Sequence, residues 1–131
     1  DMGTGTGVLA ILARKLGASE VLAIDVDDWA YRNALENISL NNAVDIGVEK
    51  GGADLLQGQQ FQVILANINK NVLLHDMPTY AKCMESGGKL LLSGFYEIDI
   101  PDLLRKAEGC GLQLRDKAVI NNWSMLELQK N

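Results

Sequence analysis

Basic residues are in the minority here. Lys and Arg number 12 against 17 Asp and Glu, for a formal net charge of −5. A domain that grips a nucleic-acid backbone needs a basic face, and no such footprint is present. The balance suits a basic or cationic partner better. Cysteine is scarce as well. Cys83 and Cys110 stand alone in helix-like settings without metal-ligand spacing. They read as two reduced, partly buried thiols, and no metal site is expected. There is no signal peptide, no lipidation site and no apolar run of about 18 residues, so a cytoplasmic location is the default expectation. Repeats, low-complexity tracts and linkers are absent too, and the first residue is not Met.

What is present is ordinary for a globular domain: 131 residues, 47% hydrophobic and 22% charged. That length reads as one domain with a core of its own.

The most informative stretch is Asp1-Met2-Gly3-Thr4-Gly5-Thr6-Gly7, which runs directly into Val8-Leu9-Ala10-Ile11-Leu12-Ala13. Glycines this dense weaken any strand or helix. Their use is conformational: they allow positive φ and let a ligand approach the backbone closely. The first N–H groups of the following helix then face the same spot. Such a loop should follow a strand, and nothing precedes it here.

Beyond the loop the chain alternates between helix and strand patterns. Val8, Leu9, Leu12, Ala13 and Leu16 repeat at helical spacing, closed by Gly17. Glu20 to Asp27 reads as a strand buried on both faces. A helix capped by Asp27 or Asp28 buries Ala30, Ala34 and Ile38 and ends at Asn41-Asn42. Ile46 to Gly51 and Phe61 to Ile68 read as strands. Lys70 to Asp76 reads as a short helical turn, and Pro78 as N1 of a separate helix through Tyr80, Ala81 and Met84. Gly87-Gly88 is expected to stop that helix before a strand over Lys89 to Ser93. Pro101 opens a last helix. The tail, turning at Asn121-Asn122, is expected to be an antiparallel hairpin.

Polar residues collect at the C-terminal ends of these strands, where an open parallel sheet places its ligand crevice: Asp25, Asp54 and Asn67. Asp25 lies about 20 residues beyond Gly5, where an acid accepts hydrogen bonds from two ribose hydroxyls. Its other reading is a helix cap, for which Asp27 and Asp28 are better placed. The loop is not the dinucleotide fingerprint G-x-G-x-x-G, because the third glycine falls at Gly7 and not at Val8. No Gly-Lys-Ser/Thr follows, which excludes a Walker loop. Asp1, two residues before Gly3, suits a ligand carrying an ammonium or sulfonium.

Asp1-x-Gly3-x-Gly5-x-Gly7 resembles the first motif of class I S-adenosylmethionine-dependent methyltransferases, with Asp25 matching their ribose-binding acid. Ala53-Asp54 resembles their segment beside the adenine. More narrowly, Gly3 through Ile11, Ala66-Asn67-Ile68-Asn69, Gly87-Gly88-Lys89-Leu90 and Ser93-Gly94 are similar to the PrmA family, which methylates large-subunit ribosomal protein eleven on amino groups. Asn69 departs from that pattern, standing where many relatives have Leu.

The resemblance implies a Rossmann-like, doubly wound, mostly parallel α/β sheet with a C-terminal antiparallel hairpin. Residues 1–131 would then be one methyltransferase domain without its N-terminal part and first strand. It implies S-adenosylmethionine as cofactor, held by Asp1, Gly3, Gly5, Asp25, Asp54 and Asn67. Asn67 would also orient the acceptor. The implied partner is a ribosomal protein, methylated at lysine or N-terminal amines, with no direct nucleic-acid or membrane contact. A lysine amine must lose its proton before attacking the methyl group. His75, the only histidine, reads better as a surface residue than as the base for that step. Asn67 is not followed by Pro-Pro-Tyr, which argues against amide and nucleobase methyltransferases. Three alternatives stay open: another acceptor for the same chemistry, a nicotinamide-binding module, and a non-catalytic binding fragment.

Overall fold

The computed structural model describes all 131 residues. They fall into two compact units, Asp1–Gly52 and Ala53–Asn131.

The first unit contains α1 (Val8–Lys15), β1 (Val21–Asp25), α2 (Asp28–Leu40) and β2 (Ile46–Lys50). β1 and β2 are parallel, with Val21 opposite Ile46 and Asp25 opposite Lys50. A short stub, Asp1 to Thr4, runs parallel to β1 where the glycine motif required a strand. Met2 bridges Ile24, the Asp1 nitrogen donates to the Leu22 carbonyl at 2.8 Å, and Ile24 N–H donates to the Asp1 carbonyl at 2.9 Å.

The core of this unit is built from small and branched residues, Ala10, Ile11, Ala23, Ile38, Ala43 and Ile46. α1 therefore buries a narrower face than its apolar spacing suggests. Ala10 and Ile11 point inward, while Val8, Leu12 and Leu16 are exposed. Its end follows the expected pattern. Gly17 takes φ 112°, and its N–H and that of Ala18 donate to the Arg14 and Ala13 carbonyls, which is a Schellman motif. α2 starts on Asp27, whose side chain accepts from Trp29 N–H at 2.9 Å. It ends the same way as α1, with Asn42 in the left-handed region at φ 54°.

The second unit opens with a 3-10 turn, Ala53–Leu56. It continues through β3 (Phe61–Asn67), α3 (Lys70–Lys82), β4 (Met84–Tyr96), α4 (Ile100–Gly109), β5 (Leu112–Ile120) and β6 (Trp123–Lys130). The sheet order is β3-β4-β6-β5. β3 and β4 are parallel, and the other two pairings are antiparallel. Register sets two apolar rows across the sheet: Ile64, Leu90 and Leu128 in one, Ala66, Leu92 and Leu126 in the next. All six are buried, as a two-residue period on one face requires. The hairpin forms as expected. Asn121 and Asn122 take φ 51° and 67°, the positive values a two-residue type I′ turn needs. β5 is an outer strand whose residues after Leu112 are exposed, and its register shifts between Leu114 and Asp116.

Two expectations are corrected here. Lys70 to Lys82 is one helix with Pro78 inside it, not a turn followed by a second helix. A proline in a helix interior costs about 3 kcal/mol. Leu73, Met77 and Tyr80, all fully buried, form a single stripe, and each large side chain contributes about 1.5–3 kcal/mol on burial. The stripe outweighs the proline. Pro78→Ala restores an N–H for the Leu74 carbonyl, less the roughly 0.4–1 kcal/mol by which proline restrains the unfolded chain. We expect a gain of about 2 kcal/mol, read as a higher denaturant midpoint with an unchanged slope.

The second correction concerns Gly87-Gly88, which lies inside β4 and does not stop a helix; Met84 belongs to that strand too. A Cβ on Gly88 would sit 3.2 Å from the Gln62 and Phe61 carbonyl oxygens and 2.8 Å from that of Glu85. The glycine allows close approach to β3.

Both cysteines are free and close helices, Cys83 after α3 and Cys110 after α4. Burial pushes the Cys83 thiol up, away from the reactive thiolate.

Candidate functional site

In the first unit the glycine loop is a hydrogen-bonded structure anchored on two acids. Gly3, Gly5 and Gly7 all take positive φ, at 66°, 57° and 83°. Gly5 N–H donates to Asp25 Oδ2 at 2.9 Å, and Asp27 N–H donates to Asp25 Oδ1 at 3.0 Å. The acid at the end of β1 thus holds the loop on one side and the start of α2 on the other. Its role is not limited to capping, because Asp27 caps α2. Asp1 accepts from the buried Thr4 hydroxyl at 2.7 Å. The structure therefore brings Asp1, Gly3, Gly5 and Asp25 together at one loop.

Each glycine has a different use. A Cβ on Gly5 would meet nothing within 4 Å, so the loop is open at that point. A Cβ on Gly7 would lie 3.4 Å from the Cα and Cβ of Ala34, so Gly7 sets how closely the loop packs on α2. Two supports were missed in the sequence. The Asn37 amide donates to the Thr6 carbonyl at 2.8 Å and braces the loop from α2. Thr4 holds the Asp1 carboxylate through its hydroxyl. Asn33, Asn37 and Asn41 recur every four residues along α2, and that stripe is a visible signal for Asn37; Thr4 has none.

Asp54 and Asn67 belong to the second unit. Asp54 is exposed in the 3-10 turn. Asn67 ends β3, exposed, opposite Ser93 of β4. Beside it Gly94 takes φ 89°. A Cβ there would fall 2.5 Å from Asn67 Oδ1 and 3.1 Å and 3.2 Å from the Ile68 oxygen and nitrogen. The Asn67 side chain therefore lies across the bare face of Gly94.

Asn69 does a different job. Its side chain accepts from Val72 N–H at 3.1 Å and caps α3. Lys70 follows, bonded to Asp102 at 2.6 Å and 3.4 Å from Asp99, tying the starts of α3 and α4 together. That hydrogen bond, with the lysine charge, holds the Asp102 carboxyl below the usual carboxylate range. His75 is exposed and paired with Asp76 at 2.7 Å. No group of three or more His, Cys, Asp or Glu side chains is placed to hold a metal ion, and no helix is long and apolar enough to cross a membrane.

The chain has relatives along its whole length. The family model described as Ribosomal protein L11 methyltransferase (PrmA) matches residues 1–131. A ribosomal protein L11 methyltransferase of Porphyromonas gingivalis is 56% identical over 127 residues, covering 96% of this chain and 44% of the relative. One from Phocaeicola vulgatus is 49% identical over 128 residues, covering 97% and 46%. The chain spans about half the length of the curated relatives it matches. Among solved structures, a ribosomal protein L11 methylase from Lactobacillus delbrueckii subsp. bulgaricus superposes with a TM-score of 0.91 at 33% identity, over 98% of this chain and 68% of that one. A methyltransferase from Pyrococcus furiosus, at 20% identity and TM-score 0.84 over 98% and 71%, shows the fold alone. The fold is thus the Rossmann-like α/β fold of methyltransferases, with antiparallel strands at its C-terminal end.

Proposed function

The chain belongs to the ribosomal protein L11 methyltransferase (PrmA) family, and on that premise we propose that the protein transfers methyl groups from S-adenosylmethionine to lysine or N-terminal amines of ribosomal protein L11. The observation that carries the cofactor half of this reading is the bond from Gly5 N–H to Asp25 Oδ2 at 2.9 Å, beside a loop open at Gly5. A carboxylate has about four acceptor sites. Gly5 and Asp27 use two, which leaves enough to receive both hydroxyls of a ribose. The residues present fit the cofactor.

In this reading Gly3 and Gly5 leave the cofactor room at the backbone, Asp25 binds the ribose, and Asp1 faces the cationic end. Asp54 is assigned to the adenine by its resemblance to the family's segment there. S-adenosylmethionine, when bound, supplies an electrophilic methyl on a sulfonium. The chain's part in transfer is positioning and exclusion of water. Asn67, exposed at the end of β3, offers a side-chain carbonyl to a neutral amine and sets its line of approach. The amine loses its proton before attack; His75, exposed and bound to Asp76, is not assigned that proton. A ribosomal-protein substrate also implies a location in the cytoplasm.

Mass spectrometry of L11 from a strain lacking the gene tests this. We expect L11 to lose its methyl groups and to regain them on complementation. Unchanged methylation rules the assignment out. A nicotinamide-binding module predicts instead that calorimetry shows NAD binding and none for S-adenosylmethionine.

A further inference from the structure

Two aromatic rings in the second unit are paired with each other yet left open to solvent. Tyr96 ends β4 and Trp123 opens β6, and they are register partners. Their rings stack with centroids 4.6 Å apart at 30°, while 45% of Tyr96 and 54% of Trp123 stays exposed. Stacking accounts for one face of the pair. About half of each residue is still exposed beyond that stack.

The location of the pair is specific. Tyr96 lies three residues beyond Ser93, the register partner of Asn67, which is about 10 Å along a strand. Glu97 comes next and is exposed, its N–H donating to the Asn122 carbonyl at 3.3 Å, so it borders the turn that carries Trp123. The other acids nearby are engaged. Asp99 accepts from Tyr96 N–H at 3.1 Å and faces Lys70 at 3.4 Å. Asp102 is held by Lys70 and Arg105. Glu97 enters none of the protein's ion pairs. An unpaired carboxylate next to two half-exposed rings attracts one kind of partner, a cation.

We propose that Tyr96, Trp123 and Glu97 form a docking platform for a lysine-rich segment of the methyl-accepting protein, binding an ammonium that is not the one methylated while the target amine reaches Asn67. This rests on the function proposed above. Charge complementarity selects the occupant: a chain of net charge −5 with an unpaired acid at this rim suits a positively charged segment. The exposed Ile98 and Ile120 give the stems of long basic side chains an apolar surface to lie on.

The test uses the protein at its natural length and takes Trp123 emission as the difference between the wild type and Trp123→Phe. Purified L11, native or with its lysines acetylated, is titrated while Trp123 emission is followed, without cofactor. In parallel, methyl transfer gives kcat and KM for L11, and calorimetry gives the cofactor affinity. We expect a saturable emission change, weakened about tenfold by acetylation and severalfold by Glu97→Gln. Trp123→Ala should raise KM for L11 about tenfold with kcat and cofactor affinity little changed. Trp123→Phe, which keeps a ring, should fall between and guards against a misfolded alanine variant. Binding insensitive to acetylation, no binding at all, or variants with an unchanged KM each overturn the platform. Lysine-dependent binding without methyl transfer upholds the platform and sinks the proposed function instead.

Discussion

Asp25→Ala should weaken S-adenosylmethionine binding about a hundredfold in calorimetry, with the chain still folded. A hydrogen bond to a charged group is worth about 1.5–3 kcal/mol, and the ribose offers two hydroxyls to this carboxylate. A factor of one hundred corresponds to about 2.7 kcal/mol, within reach of one such bond, and the loop contributes further. Without Asp25 Oδ2 the Gly5 N–H loses its partner at 2.9 Å, so the loop must be ordered by the ligand at the ligand's expense. Asp25→Asn sharpens the test. Both carboxylate oxygens face N–H donors, Gly5 on one side and Asp27 on the other. An amide must turn its NH2 toward one of them, donor against donor. The asparagine variant should therefore rescue little, despite its matching shape. Wild-type affinity in either variant would remove Asp25 from the site.

Gly94→Ala should cost about 2–4 kcal/mol of stability and most of the methyl-transfer rate. A left-handed backbone costs a non-glycine residue about 1–2 kcal/mol, and Gly94 sits at φ 89°. The new methyl group also meets the Ile68 backbone at 3.1 Å and 3.2 Å and Asn67 Oδ1 at 2.5 Å. The side chain of Asn67 can swing away, but only by abandoning its place at the end of β3. Asn67→Ala supplies the comparison. Asn67 is exposed and leaves no cavity, so that variant should lose transfer while its unfolding free energy stays within about 0.5 kcal/mol of wild type. If Asn67→Ala transfers methyl groups at the normal rate, Asn67 has no part in the reaction. If Gly94→Ala melts like wild type, the clash at Ile68 is relieved by a backbone shift.

Much of this arrangement could be read from residue patterns alone. The hairpin followed from Asn121-Asn122 between alternating strands, since few residues other than Gly, Asn and Asp take positive φ cheaply. The loop acids followed from spacing, because a strand end and a helix start are close whenever one short α1 separates them. The failures share a cause. Pro78 and Gly87-Gly88 are punctuation by local propensity alone. Leu73, Met77 and Tyr80 overrode the first by burial, and the approach of β3 to Gly88 gave the second a different use. Val8, Leu12 and Leu16 have helical spacing, but spacing does not say which side of α1 faces Ala23 and Ile46. Asn37 and Gly7 act on the loop through α2, a contact that no local pattern shows. Gly94 beside Asn67 is likewise a product of β3–β4 register.

The outer strand β5 bears on how copies of the protein meet one another in a concentrated solution. A long, flat, uncharged edge is a template on which a second strand can align. β5 presents Arg115, Asp116 and Lys117 in succession, and its ladder slips out of step between Leu114 and Asp116. An approaching strand finds neither an even row of partners nor a neutral surface, because a bulge twists the edge while the charges keep their water. The interruption that costs β5 a regular pairing with β6 thereby keeps that same edge from growing into fibrous sheet.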